Sequence, residues 1–383
     1  MTAPDLSPIR AFLAAHHDGL AADVSAFAAR ELRPRPEPED DDDARREART
    51  LLAAMGKAGV FAPIGAMDWR GCCLAREALA AASPLADAVF ALQGLGLVPI
   101  LLSGNAAMRE HWVALTLEGR AMAAFAMTEP DAGSDVAARA TRARRDGDHY
   151  VLDGVKCFIS NAGIADYYTV FATTDPAAGS RGIGCFVVPA DASGLRFTGP
   201  QVLSSPHPLG GIALEGCRVP AANRLGEEGK GFALGMKTLD RLRATVGAAA
   251  CGMAARALAE ALAHARSRRQ FGKPLGEFQL VQEKLARMAT ELTAARLLVY
   301  RAAHAADAGA ERVTLEAAMA KLHATEAAQR IVDDAVQVLG GAGVMASHPV
   351  DRLYRSVRAL RIYEGTSEVQ HLVIAGLLLK EAP

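Results

Sequence analysis

The sequence is short of aromatic residues: they make up 5% of its 383 positions, with only 2 tryptophans. Ala, Leu and Val must therefore do most of the packing, a composition that predicts a helix-rich globular protein. Neither sign of charge is in excess, since 42 Lys+Arg stand against 43 Asp+Glu. A protein that tracks a phosphate backbone needs a basic surplus, so no nucleic-acid partner is expected. Cysteine is sparse and scattered. Cys72, Cys73, Cys157, Cys185, Cys217 and Cys251 form no CxxC pair and no Cys/His cluster. Reduced thiols and no metal site are expected, and the expected location is cytoplasmic. No apolar run near 18 residues stands out, so no membrane span is expected. The opening MTAPDLSPIRAFLAAHHDGL lacks the basic segment and apolar core of a secretory signal. No strand–GxGxxG–helix unit occurs, which argues against a Rossmann dinucleotide site. No internal repeat is found.

What is present is a change of character along the chain. Its length predicts two or three domains. Residues 7–32, 44–56, 72–82 and 105–119 read as helices separated by glycines and prolines. The acidic run Glu39–Asp43 is expected to be a solvated loop. From about Ala121 to Arg224 the sequence breaks into short strand-like runs. HYVLDGVKCFIS has two such halves around Asp153-Gly154, a hairpin signal. YYTVFATT, GIGCFVVPA, LRFTG and GIALEGCRVP continue the pattern. From Gly231 long helical patterns return, one starting near Phe232. Leu275, Phe278, Val281, Leu285, Met288, Leu292 and Val299 mark a stripe, and Leu315, Met319 and Leu322 the next. The last helix carries Val369, Leu372, Val373 and Leu377. The predicted fold is mainly α with a middle β domain. Residues 1–120 form an N-terminal α-helical domain, 121–224 a small β-barrel-like domain, and 225–383 a C-terminal four-helix bundle.

Five stretches carry candidate chemistry. AMTEPDAGSD, Ala126 to Asp135, gathers hydroxyls and amides able to bond a polar cofactor edge, although on local chemistry alone an ordinary turn-rich connection is the plainer reading. In DGVKCFISNAG, Phe158 and Ser160 are two apart, so on a strand they share a face that suits a planar ring. A core role for Phe158 fits the same spacing. ARSRRQFGKPLGEFQ places arginines, whose forks match phosphate oxygens, before a helix break, where a solvated basic helix end is the plainer reading. QVLGGAG ends a helix, and its glycines allow close backbone approach. In RIYEGTSEVQ a single carboxylate, Glu364, stands at the mouth of an apolar helix.

Together, in this order and at these separations, TEPDAGSD, FISNAG, RRQFGKP, QVLGGAG and YEGTSE resemble the acyl-CoA dehydrogenase family. The resemblance runs from about Ala44 to the C-terminus. It implies the same three-part fold, a non-covalent FAD, and oxidation of an acyl thioester to the trans-2-enoyl thioester. It also implies electron transfer to an electron-transferring flavoprotein and assembly as a homotetramer, a dimer of dimers. By motif, Phe125, Met127 and Thr128 would line the flavin, and Ser134 would reach substrate or cofactor. Phe158 and Ser160 would lie against the isoalloxazine. Arg268, Gln270 and Phe271, with Phe278, Gln279, Gln337 and Gly341, would hold the pyrophosphate or adenine end, reaching a neighbouring subunit's cofactor. Thr366 and Glu368 would complete that site. Asp240 and Arg243, with Gly365, would lie near the thioester.

Glu364 matches the family's catalytic base. A thioester activates its α-proton only modestly, and a desolvated carboxylate is a stronger base than a hydrated one. The backbone N–H groups at Glu364-Gly365 could polarise the thioester carbonyl. In the family's minority arrangement the base would fall at Leu242, which cannot act as one. Four departures stand out: Phe158 where tryptophan is usual, Gly376 where an arginine is frequent, the abbreviated FAPIGAMDWRGCC, and the unusual VLSSPHPLGGIALEG. The expected partners are an acyl-CoA, or a carrier-bound acyl thioester, and no membrane. An oxidase or monooxygenase on the same fold and a catalytically silent assembly subunit are the alternatives.

Overall fold

A computed structural model describes residues Asp5 to Lys380. The chain sorts into two compact units. One comprises residues 37–67 and 88–239; the other comprises the preceding N-terminal segment, residues 68–87, and everything from Asp240 on.

The first unit holds α2 (Asp41–Lys57), α3 (Ala62–Ala66), α6 (Ala106–Leu117) and seven strands. The strands are β1 (Ala123–Ala126), β2 (Arg142–Asp146), β3 (His149–Ser160), β4 (Tyr167–Thr173), β5 (Ile183–Pro189), β6 (Leu195–Pro200) and β7 (Leu209–Pro220). They form one sheet in the order β1-β4-β2-β3-β7-β6, with β5 paired to β4. Its core is built from Tyr150, Leu152, Ile159, Tyr168, Val170, Phe186 and Ile212.

Two local expectations fail here for clear reasons. Asp153-Gly154 does not turn a hairpin. β3 runs straight through it, with Gly154 at a register shift against β7. Gly154 has φ 153°, and a Cβ there would lie 2.5 Å from Thr141 Oγ1, so only glycine fits this bulge. The hairpin turn lies instead at Gly147, between β2 and β3. The acidic run is not a solvated loop either. Asp40 caps α2 by accepting the Asp43 N–H at 2.8 Å, and Asp41–Asp43 form its first turn, where negative charge meets the helix dipole. Asp41 is buried and accepts from Arg45 Nε at 2.6 Å.

The second unit contains α1 (His16–Phe27), α4 (Trp69–Ala82), most of α7 (Gly231–Ser267), α8 (Gln279–Asp307), α9 (Thr314–Leu339), α10 (Pro349–Leu360) and α11 (Ser367–Leu378). α9 packs against α8, α10 and α11. Its buried face is made mainly of alanines, among them Ala317, Ala320, Ala324, Ala327 and Ala328, and also holds Lys321. The Leu315–Met319–Leu322 stripe lies on the half-buried flank. Small side chains let helix axes approach closely, so here the close-packed seam is the alanine face and not the leucine stripe. α7 uses the same device, since a Cβ on Gly252 would meet Glu77 O at 2.2 Å. The expected fourth helix is α11, only 12 residues long, and a further 12-residue helix, α10, precedes it, with Glu364 in the turn between them.

The helix α5 (Pro84–Ser103) overturns one more expectation. It is 20 residues long with a mean hydropathy of 1.9, and α7 also has a window at 1.3, so both are long and apolar enough to cross a membrane. Of those windows 78% and 61% are buried in the structure, the setting of core helices. Asp87 and Gln93 interrupt the run in sequence. In the structure Gln93 donates to Thr116 O and Ala121 O and accepts from the Ala123 N–H.

A buried ion pair holds the sheet. Lys156 Nζ donates to Glu129 Oε1 at 2.7 Å and to Phe171 O at 2.6 Å, and Glu129 also accepts from the Ala140 N–H. Lys156→Met leaves the Glu129 carboxylate buried without its cation. We expect a loss of about 3–5 kcal/mol in unfolding free energy by urea titration. Lys156→Met combined with Glu129→Gln should recover most of that loss.

Candidate active site

The turn that carries Glu364 is held in an uncommon backbone conformation. Glu364 has φ 55° and Gly365 φ 95°, both left-handed. Glycine adopts this freely, whereas glutamate does so only where its surroundings enforce it. Three side chains supply the enforcement. Lys321 Nζ donates to Gly365 O at 2.7 Å, and Gln370 Nε2 donates to Glu364 O at 3.2 Å and Gly365 O at 3.1 Å. Arg243 Nε donates to Glu364 O at 3.3 Å. Arg243 is itself fixed by Asp240 at 2.6 Å, and Asp240 accepts from Thr314 Oγ1 at 2.6 Å. A Cβ on Gly365 would lie 2.4 Å from Gln370 Nε2, so the clamp also requires glycine there. On the far side Glu326 joins Arg361 and Ser367 across the turn.

The carboxylate itself is left unbonded. Its Oε2 is shielded from solvent and has no hydrogen-bond partner among the described residues. Burial pushes its pKa above the usual carboxylate value, against the pull of Arg76, Arg243 and Lys321. Arg76, buried, is engaged by Asp87 at 2.7 and 2.8 Å and by Thr245 Oγ1 at 2.9 Å. Lys321 is fully buried, and burial lowers its pKa to about 8 despite the nearby Glu364. A desolvated carboxylate with a free lone pair, fixed by its backbone and restrained by three cations, is suited to take a proton from a weak acid.

In the same unit, Arg269–Gln270 and Lys273–Pro274 form a two-stranded ribbon, β8 and β9, closed by Phe271 and Gly272 at φ 50° and 81°. This two-residue turn turns Phe271 outward, 93% exposed. Lys273 Nζ lies 4.3 Å from the centre of the Phe278 ring. Arg268, Gln270 and Gln279 are exposed. At the end of α9, Gln337 and Gly341 are exposed, with open space where a Gly341 Cβ would be. Thr366 caps α11 by accepting the Val369 N–H, and Glu368 occupies its first turn. An exposed arginine, an aromatic ring and open glycine backbone fit a pyrophosphate and an adenine.

In the sheet unit, Phe158 has φ 53° at a bulge in β3 and is 62% exposed, its N–H donating to Gln201 Oε1. Ser160 Oγ lies 2.7 Å from His207 Nε2. Phe125 packs edge-on against Phe171, Met127 is buried, Thr128 is part-buried and Ser134 is exposed. An exposed ring flanked by hydroxyls fits a planar heteroaromatic cofactor. Sequence reasoning missed Arg76, Lys321, Gln370, Thr245 and His207. Only a charged or amide residue inside an otherwise apolar helical face, as with Lys321 and Gln370, could have marked some of them. His16, His17 and Asp68 also converge. There the His17 Nδ1 lone pair takes the Ala14 N–H and its Nε2 proton goes to Asp68, leaving no lone pair for a cation.

One unit carries a lone, half-buried carboxylate on a clamped turn, and the other an exposed aromatic ring at a strand bulge, features that suit a cofactor-dependent oxidoreductase. Comparisons with known proteins identify the class. Residues 14–120, 124–215 and 229–379 match the N-terminal, middle and C-terminal domain models of acyl-CoA dehydrogenase. The chain is 46% identical over 284 residues to the 3-(aryl)acrylate reductase of Clostridium sporogenes, covering 74% of this chain and 75% of that one. It is 42% identical to the caffeyl-CoA reductase-Etf complex subunit CarC of Acetobacterium woodii, covering 74% and 75%. The solved butyryl-CoA dehydrogenase of Megasphaera elsdenii superposes with a TM-score of 0.90 at 34% identity, covering 96% and 99%. The chain belongs to the acyl-CoA dehydrogenase family. It is a flavoprotein oxidoreductase whose cofactor is FAD.

The clamp has two measurable consequences. A carboxyl whose folded pKa lies above its unfolded value binds protons more readily when folded, so stability falls as pH rises between the two values. Glu364→Gln should therefore melt higher than wild type at pH 8, and the gap should close below about pH 4. Lys321→Met removes a cation that holds the Glu364 pKa down. The acidic limb of the pH–rate profile should then move to higher pH.

Proposed function

We propose that this protein desaturates an acyl thioester between Cα and Cβ, with Glu364 as the base that takes the α-proton. The observation that carries this reading is the unpartnered, desolvated Oε2 of Glu364 on a turn its neighbours clamp. Bound FAD supplies the acceptor for the hydride that leaves Cβ. Phe125, Met127, Thr128, Phe158 and Ser160 would hold its ring. Arg268, Gln270, Phe271, Phe278, Gln279, Gln337, Gly341, Thr366 and Glu368 would hold its pyrophosphate and adenine. Ser134, Asp240, Arg243 and Gly365 would meet the substrate, the Gly365 N–H polarising the thioester carbonyl. In the structure, Asp240 and Arg243 also buttress Glu364 from behind.

The acyl-CoA substrate binds remotely from the chemistry through its CoA, and electrons pass to an electron-transferring flavoprotein, a partner named in the CarC relative. Two relatives bear reductase names. The reverse reaction uses the same residue, protonated Glu364 delivering its proton to Cα, and an unsaturated aryl acyl-CoA belongs in the substrate panel on that ground. An intact base disfavours a silent assembly subunit. A homotetramer in the cytoplasm completes the reading. Phe271 (93% exposed), Leu280 (82%), Leu372 (74%) and Leu379 (80%) supply apolar surface for assembly.

The test is anaerobic visible absorbance of the holoenzyme, titrated with short, branched, cyclic and aryl-substituted acyl-CoAs. One of them should bleach the flavin band. In Glu364→Gln, which keeps the site's shape but cannot accept the proton, bleaching should slow at least about a hundred-fold. A band unmoved by every acyl-CoA overturns the reading, and rapid reoxidation in air favours an oxidase.

A further inference from the structure

His207 lies in the segment that departs from the family's usual wording, between β6 and β7, with a proline on each side that limits its backbone. Its Nε2 stands 2.7 Å from Ser160 Oγ. The surroundings form a built cluster on two connections. The Asn161 N–H donates to Pro208 O at 2.8 Å, tying the residue after Ser160 to the residue after His207. Arg45 on α2 donates to Ala162 O at 2.6 Å and to Leu209 O at 2.8 Å, bracing the same two segments, and its Nε holds Asp41.

Two atoms of this cluster are buried and lack a hydrogen-bond partner among the described residues: His207 Nδ1 and Asp41 Oδ1. One belongs to an imidazole and the other to a carboxylate, and the two groups attract each other. Burial pushes the His207 pKa down to about 4, with Arg45 adding to the shift and Asp41 opposing it, so the ring is neutral at working pH. A neutral imidazole has one N–H and one lone pair. If the N–H faces the carboxylate, the lone pair is left for Ser160.

We propose that His207 is a positioning residue for the flavin: with its proton on Nδ1, the tautomer that the Asp41 charge favours, its Nε2 accepts the Ser160 proton, and Ser160 meets the isoalloxazine edge as a hydrogen-bond acceptor. This rests on the reading that Ser160 lies against the flavin. A hydroxyl held so offers lone pairs and no proton. It therefore favours the state of the ring that carries an extra N–H, the reduced one. The Asp41 charge acts on His207 through space, and His207 sets the direction of one hydrogen bond at Ser160 and performs no chemistry itself.

The test is an anaerobic redox titration of the holoenzyme, reading the flavin midpoint potential in wild type, S160A, H207L, S160A/H207L, H207Q and D41N. S160A and H207L should each lower the potential. The double variant should fall no further than S160A alone, because the two residues act as one unit. H207Q, whose amide oxygen can accept the Ser160 proton, should stay near wild type, and D41N should shift part of the way. A wild-type potential in H207L beside a shifted S160A overturns the proposal, as does an additive double variant. A raised potential in H207L also overturns it, since Nε2 would then be the donor. If H207L fails to take up FAD, H207Q carries the test: a potential equal to that of S160A overturns the proposal, and a near-wild-type one supports it. If S160A leaves the potential and the flavin absorption unchanged, the placement of Ser160 fails and this inference with it. Bleaching by acyl-CoA still decides the dehydrogenase reading separately.

Discussion

The desolvation of one carboxylate sets the terms for much of the helical unit. Water is kept from Oε2 of Glu364, which suits the proposed base, and the same exclusion disfavours its charge. The protein answers by placing Arg76, Arg243 and Lys321 where each lowers that cost. None of them hydrogen-bonds the carboxylate oxygens. Arg76 is spent on Asp87 and Thr245, and Arg243 and Lys321 on the backbone of the turn. A direct ion pair would occupy that carboxylate, whereas cations engaged elsewhere moderate its pKa and leave its lone pair free.

That solution requires buried cations, and these need a frame rigid enough to hold them. The alanine-faced α9 supplies it. Lys321 is buried on that face, and its ammonium donates to Gly365 O. Glu77 shows the same logic elsewhere in the bundle, with Arg296 at 2.6 Å and Tyr300 at 3.0 Å. The sheet unit repeats it with Lys156 and Glu129, and again with Arg45, which donates to Asp41 and to the backbone at Ala162 and Leu209. Several of these charges, Lys321, Lys156, Glu129 and Arg45, clamp backbone groups as well.

The helices of residues 44–56, 72–82 and 105–119 were legible because caps and breakers frame them: Asp40, Asp68 and Asn105 accept the N–H groups that open the three helices. The strands were legible from their alternation and turn residues. The buried face of α9 was not, because hydropathy patterns weight leucine over alanine and the close-packed seam is the alanine one. The hairpin at Asp153-Gly154 was misread because a dipeptide that suits a turn also suits a bulge, and pairing with β7 decided between them. The short α10 went unnoticed, although Pro349 opens it and its apolar residues Val350, Leu353, Val357 and Leu360 are buried.

For the site the division is similar. The sequence by itself determined the order of motifs, the family, and a lone glutamate before a capped helix. These are local or linear properties, and residue type with spacing expresses them. Only the tertiary structure decided that Glu364 sits at positive φ with a free, shielded oxygen, that Lys321 and Gln370 hold its turn, and that His207 meets Ser160. Those pairings join residues 6, 44 and 47 or more positions apart. Their meaning lies in distance and desolvation, which exist only once the chain has folded.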